Sequence, residues 1–240
     1  MTGLLKINHY SKKYFKLGNM VSYFKKFLFK LFYKIYTWSA SGKTEGISIS
    51  ERIVEYPFAV KKILNLPKGS SIIILGCHGD LLSVMLPELG YKVTGMDVKH
   101  FSFNHSNFNF VKQDLRHIDS IPDVSFDAVV AISTIEHVGI YDGDENEGDF
   151  KAVKEVYRIL KKGGIFIITL PYAKNYKLVE MHERIYDFSR IRSLLKRFTV
   201  EDEVYYSFDG DMWIKTNPGT VHEATKRTNN LVMISAKKTN

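Results

Sequence analysis

Side chains able to do chemistry recur at the ends of successive apolar runs. Gly76 closes the run "SIIILG" (71–76), and Asp97 follows it by 21 residues in "KVTGMDV" (92–98). A glycine turn ending one strand and a carboxylate ending the next is the spacing at which an acid accepts both hydroxyls of a ribose. Asp114 ends a third run, "FNFVKQD" (108–114), and Glu136 and His137 follow a fourth, "FDAVVAIS" (126–133). Taken singly, an Asp at a strand end is more often a turn former or helix cap, and a lone His a structural hydrogen bonder. Their ordered recurrence points to one crevice. The loop "IYDGDENEGD" (140–149) adds five acids, which could hold a divalent cation or a hydroxyl-rich sugar, or simply be solvated. Arg184, in a stretch rich in Tyr, Lys and Arg, could hold an anionic acceptor or make a structural salt bridge.

The elements that must position these groups follow from the patterning. The four runs and a fifth, "GIFIITLP" (164–171), read as buried strands, while 80–89 and 149–162 read as helices. Another helix opens at Ser50 and ends before Pro67, with Pro57 expected to interrupt it. Strand and helix alternating at this spacing imply crossover connections and a parallel sheet covered on both faces. Right-handed crossovers then bring the loops after each strand to one edge, where ligands bind.

The chain has 240 residues and a net charge of +8, and the charge is not spread evenly. Residues 1–44 hold nine lysines and no acid, leaving 25 Lys and Arg against 26 Asp and Glu in the rest. The folded part, taken to start at residue 45, therefore has no global reason to bind nucleic acid. Residues 19–38 read as a cationic amphipathic helix, with Phe24, Leu28, Leu31, Phe32 and Ile35 opposite Lys26, Lys30 and Lys34. It suits an anionic membrane surface, or packing against the domain or a second copy of the chain in a homodimer. The lysines interrupt any span long enough to cross a bilayer, and no signal-peptide pattern precedes them. The single cysteine, Cys77, excludes an internal disulfide and points to a reducing, cytoplasmic setting, with possible membrane association through the tail.

Five segments in order, "IIILGC", "GYKVTGMDV", "FVKQDL", "SFDAVVAISTIEHVG" and "VYRILKKGGIFIITLP", make residues 46–240 resemble the class I S-adenosylmethionine-dependent methyltransferases. The "EHVG" segment followed by "RILKKGG" is similar to the branch with small-molecule and glycan acceptors. The resemblance implies a Rossmann-like α/β fold with helices on both faces of a seven-stranded, mostly parallel sheet ordered 3-2-1-4-5-7-6. Its last strand would be antiparallel and is assigned to 229–238. It also implies S-adenosyl-L-methionine as cofactor, with Gly76 near the methionine part, Asp97 on the ribose, Asp114 on the adenine amino group, and Met96 and Leu115 flanking the ring.

The first loop, Gly76, Cys77, His78 and Asp80, departs from the family pattern, because Ile74, His78 and Asp80 stand where members carry an acid and further glycines. Asp80 could cap the following helix or replace the missing acid on the cofactor's ammonium group. A hydroxyl acceptor needs its proton removed, which makes His137 the first candidate base, with Glu136 orienting it or contacting substrate and His182 in reserve. No metal-ligand spacing is evident, and none is assigned. Two other readings stand beside O-methylation: a family member that has lost catalysis and only binds, and a nicotinamide-dependent oxidoreductase. The second is weakened because a dinucleotide needs G-x-G-x-x-G and only Gly76 and Gly79 are present.

Overall fold

The computed structural model describes residues 50–224 and 228–239. The amphipathic segment 19–38 and the boundary at residue 45 lie outside the described residues, and with them the membrane and homodimer expectations. Among the described residues no helix is long and apolar enough to cross a membrane.

Four of the five expected strands fall within two residues of their predicted ends: β1 (Ser71–Leu75), β2 (Lys92–Asp97), β3 (Phe108–Lys112) and β4 (Phe126–Ile132). The fifth, β5 (Leu160–Pro171), starts earlier than expected, because the helix before it stops at Ile159 and "LKKGG" already pairs irregularly with β4. The chain then forms a small hairpin, β6 (Lys177–Val179) and β7 (Glu183–Ile185), before β8 (Thr199–Phe208), β9 (Trp213–Thr216) and β10 (Asn230–Lys237). The main sheet runs β3-β2-β1-β4-β5-β10-β8-β9, with β10 antiparallel to both its neighbours. Its first seven positions reproduce the expected order and its antiparallel last strand. The eighth strand corrects the count of seven: Asp209 Oδ1 accepts from the amides of Asp211 and Met212, turning the chain so that β9 pairs back on β8.

Alternation along the central strands explains the two covered faces. Ile73, Leu75, Val129, Ala131, Phe166 and Ile168 pack toward helices α3 (Gly148–Ile159) and α4 (Phe188–Leu194). Ile72, Ile74, Ala128, Val130 and Ile167 pack toward α1 (Arg52–Ile63) and α2 (Leu82–Glu88). Successive side chains on a strand point to opposite faces, so a central strand buried on both sides must be apolar throughout. Pro57 does not end α1, contrary to expectation. Glu55, Phe58, Ala59 and Ile63 are buried around it, and this tertiary anchoring outweighs the roughly 3 kcal/mol that an interior proline costs. The crossover from β2 to β3 contains no helix; Phe101 and Phe103 instead set their rings edge-on to Phe108, at 5.7 and 5.5 Å.

Candidate active site

Strand order reverses at β1, whose neighbours are β2 on one side and β4 on the other. Open α/β sheets bind ligands at such a reversal, beyond the carboxyl ends of the strands. A cavity of about 510 Å³ lies there, with Gly76, His78, Asp97, Leu115, Ser133 and His137 among the residues of its wall. That volume is within the usual range for small-molecule sites.

The turn after β1 is built around Gly76. Its φ is +71°, and a Cβ there would stand 2.5 Å from Thr134 Oγ1. Thr134 cannot easily retreat, since its hydroxyl shares its one proton between the carbonyls of Ile132 (2.9 Å) and Leu75 (3.2 Å). Glycine is therefore required both by backbone conformation and by the close approach of the β4 loop. The Gly76 amide donates to Met96 O at 2.9 Å, joining this turn to the end of β2.

Asp97 is half-buried on the cavity wall. Its Oδ2 accepts from the His78 amide at 3.0 Å and its Oδ1 from the Lys99 amide at 2.8 Å. A carboxylate has about four acceptor positions, so each oxygen keeps capacity for one further donor. The His78 ring does not fill the hollow. Its Nδ1 lies 3.2 Å from His100 O, which can only accept, so Nδ1 carries the proton.

Asp114 also lines the cavity, but its oxygens are engaged. Oδ1 accepts from the Arg116 amide (2.8 Å) and Nε (3.0 Å), and Oδ2 from Nε (3.2 Å) and Nη2 (2.6 Å). These hydrogen bonds hold its carboxyl below the usual aspartate range. Arg116 continues to Asp142 (2.9 Å) and Asp144 (3.3 Å), and Lys151 reaches Asp144 at 2.8 Å. Much of the acidic loop is thus neutralised by the protein's own cations. Among the described residues no three His, Cys, Asp or Glu side chains come together as a metal site.

Met96 and Cys77 are fully buried behind the wall, and burial with the nearby Asp97 and Asp80 pushes the thiol up to about 12. Leu115 contributes an apolar side chain to the wall itself. Asp80 stands apart from the cavity: its Oδ1 accepts from the Leu82 amide at 2.7 Å in an Asx turn that leads into α2. Burial pushes its carboxyl up to about 6.

His137 follows β4 on a short 3-10 turn (Ile135–His137) and faces the cavity. Its Nδ1 lies 2.8 Å from the backbone carbonyl of His182, at the tip of the β6–β7 hairpin. The His182 ring itself is 6.2 Å from that of His137 and is not on the cavity wall. Glu136 is buried, with Oε1 3.9 Å from His137 Nε2 and Oε2 without a hydrogen-bond partner. Burial raises its carboxyl well above the ordinary value, and the neighbouring Glu55 and Glu183 push the same way. Arg184 is fully buried and donates to the carbonyls of Glu145 (2.6 Å), Glu136 (3.2 Å) and Asp144 (3.3 Å). Of the two readings of Arg184, the geometry is that of a structural staple holding the acidic loop under the hairpin.

Three residues not singled out in the sequence stand at the wall and directly behind it. Ser133, on the wall, donates to Glu55 Oε1 at 2.8 Å, and Thr169 donates to the same oxygen at 2.5 Å. The partners are 78 and 114 positions apart, so no local pattern marks them.

Residues 73–168 match the model of a methyltransferase domain. The chain is 25% identical over 146 residues to a probable S-adenosylmethionine-dependent methyltransferase of Mycolicibacterium smegmatis, covering 56% of this chain and 54% of that protein. It is 31% identical over 151 residues to a ubiquinone biosynthesis O-methyltransferase of Pelagibacter ubique, covering 55% and 59%. The chain thus spans little more than half the length of these curated relatives. A Burkholderia thailandensis 1,6-didemethyltoxoflavin-N1-methyltransferase, solved with 1,6-didemethyltoxoflavin and S-adenosylhomocysteine bound, aligns at a TM-score of 0.60. The alignment covers 79% of this chain and 80% of that one at 15% identity, a likeness of fold. With a match to a methyltransferase domain over residues 73–168 and the strand order of that fold around it, the chain is similar to the class I S-adenosylmethionine-dependent methyltransferases.

Proposed function

We propose that the chain transfers a methyl group from S-adenosylmethionine to a hydroxyl oxygen of a small-molecule or glycan acceptor. The observation that carries this reading is Asp97: a carboxylate on the cavity wall, at the end of the second strand, with acceptor capacity left on both oxygens. The residues present fit the adenosyl group. Asp97 would hold the ribose hydroxyls, Gly76 opens space that a Cβ would close, and Leu115 offers an apolar surface for the adenine. Asp114 would receive the adenine amino group only by sharing oxygens that Arg116 now fills. When bound, S-adenosylmethionine supplies a methyl group on a positively charged sulfur, a leaving group that needs no acid.

What remains for the protein is alignment, exclusion of water and removal of the acceptor's proton. His137 suits the last task. A carbonyl can only accept, so the contact with His182 O keeps the proton on Nδ1 and leaves the Nε2 lone pair as the base. Proton transfer to Nε2 makes an imidazolium beside the Glu136 carboxyl, 3.9 Å away. His182 therefore acts through its carbonyl as a positioning residue. The test is incubation with S-adenosylmethionine labelled in its methyl group and a panel of phenols, catechols and sugar alcohols. Label on an acceptor oxygen supports the reading; label only on nitrogen or carbon, or none at all, overturns it.

A further inference from the structure

Behind the cavity wall stands a carboxylate that the proposed chemistry does not use. Glu55 is fully buried, yet it comes from the first turns of α1 and reaches the end of β4. Its Oε2 accepts from Arg52 Nη1, and its Oε1 accepts from the hydroxyls of Ser133 and Thr169. Thr169 Oγ1 in turn accepts from the Ser133 amide at 2.9 Å. These contacts hold Ser133 at a φ of +41°, a left-handed backbone that costs a non-glycine residue free energy and clusters at functional sites. Ser133 lines the cavity beside Gly76 and Thr134.

The chemistry of this arrangement is specific. A hydroxyl has one proton, and Ser133 gives it to Glu55; the oxygen that remains can only accept. An acceptor-only hydroxyl polarised by a buried carboxylate suits a cationic donor. Ile74, on the strand that leads to Gly76, is fully buried in the apolar core and offers no charge to this end of the cavity.

We propose that Ser133, polarised by Glu55, is the subsite for the α-ammonium group of the cofactor's methionine moiety, with Glu55 as a positioning residue delivered by α1. The inference rests on the reading that an adenosyl cofactor fills this cavity. Asp80, the other acid considered for that group, is turned to the Leu82 amide and lies off the cavity wall.

The experiment is calorimetric titration of the full chain with S-adenosylhomocysteine and with its analogue lacking the α-amino group. The wild-type chain should bind the amino-bearing ligand about ten- to a hundredfold more tightly, the worth of one charge-assisted hydrogen bond. Ser133→Ala should lose that preference while binding the deamino analogue as the wild type does, and Glu55→Gln should reduce the preference. Ser133→Gly, which suits the left-handed backbone, repeats the serine test without strain should Ser133→Ala disturb folding. Equal weakening of both ligands in the serine variants, or no preference in the wild type, overturns the ammonium subsite alone. A wild-type chain that binds neither ligand overturns the cofactor reading and this inference with it.

Discussion

Replacing Gly76 by alanine tests how tightly the turn after β1 is built against the loop after β4. Two costs add at this position. A Cβ on a backbone at φ +71° costs roughly 1–2 kcal/mol. The same atom would stand 2.5 and 2.6 Å from Thr134 Oγ1 and Cγ2, and overpacking of this kind costs about 1–3 kcal/mol more. Gly79 provides the control: its φ is +80°, but the Cβ that alanine would add there meets nothing within 4 Å, so Gly79→Ala carries the backbone cost alone. In urea unfolding, Gly76→Ala should lose about 2–5 kcal/mol and Gly79→Ala about 1–2 kcal/mol. Thr134→Ala removes the two closest atoms, so the double variant should recover most of the difference, a coupling of about 1–3 kcal/mol in a double-mutant cycle. Equal losses at the two glycines, or no relief from Thr134→Ala, would refute this account of the turn.

His137→Ala should lower kcat by about a hundred- to ten-thousandfold on a hydroxyl acceptor, whereas His182→Ala, which keeps the backbone carbonyl, should change it far less; steady-state kinetics on both variants decides between ring and carbonyl. Asp80 should make stability fall with rising pH. Its folded carboxyl is raised to about 6, so between about pH 4 and 6 the folded state retains a proton that the unfolded chain has released, a loss on the order of 2–3 kcal/mol across that window. Urea midpoints at pH 4 and 7 should show Asp80→Asn gaining on the wild type as pH rises; parallel pH curves would contradict it.

What the sequence revealed follows the range of the interactions involved. The central strands were legible because burial on both faces demands unbroken apolar runs, and Ile72 to Leu75 satisfy that demand. Gly76 and Asp97 were legible because a fixed spacing joins the ends of adjacent parallel strands. Strand β9 was not, since "WIKT" is too short and too exposed to declare a period. Residue type alone also could not show that Asp114 is filled by Arg116 two positions on, or that Arg184 lies at zero exposure beneath the acidic loop. The Glu55, Ser133 and Thr169 cluster depends on α1, β4 and β5 converging, and only the assembled fold brings them together. His182 meets His137 through its backbone carbonyl, which any residue would supply, so its side-chain type does not mark the contact.

The central claim is that the carboxylate ending β2 holds a ribose. Calorimetric titration of S-adenosylhomocysteine into the wild-type chain and Asp97→Ala tests it most directly. The account predicts saturable one-site binding in the wild type, weakened at least about a hundredfold in the variant through loss of two charge-assisted hydrogen bonds. Undiminished affinity in Asp97→Ala would contradict it.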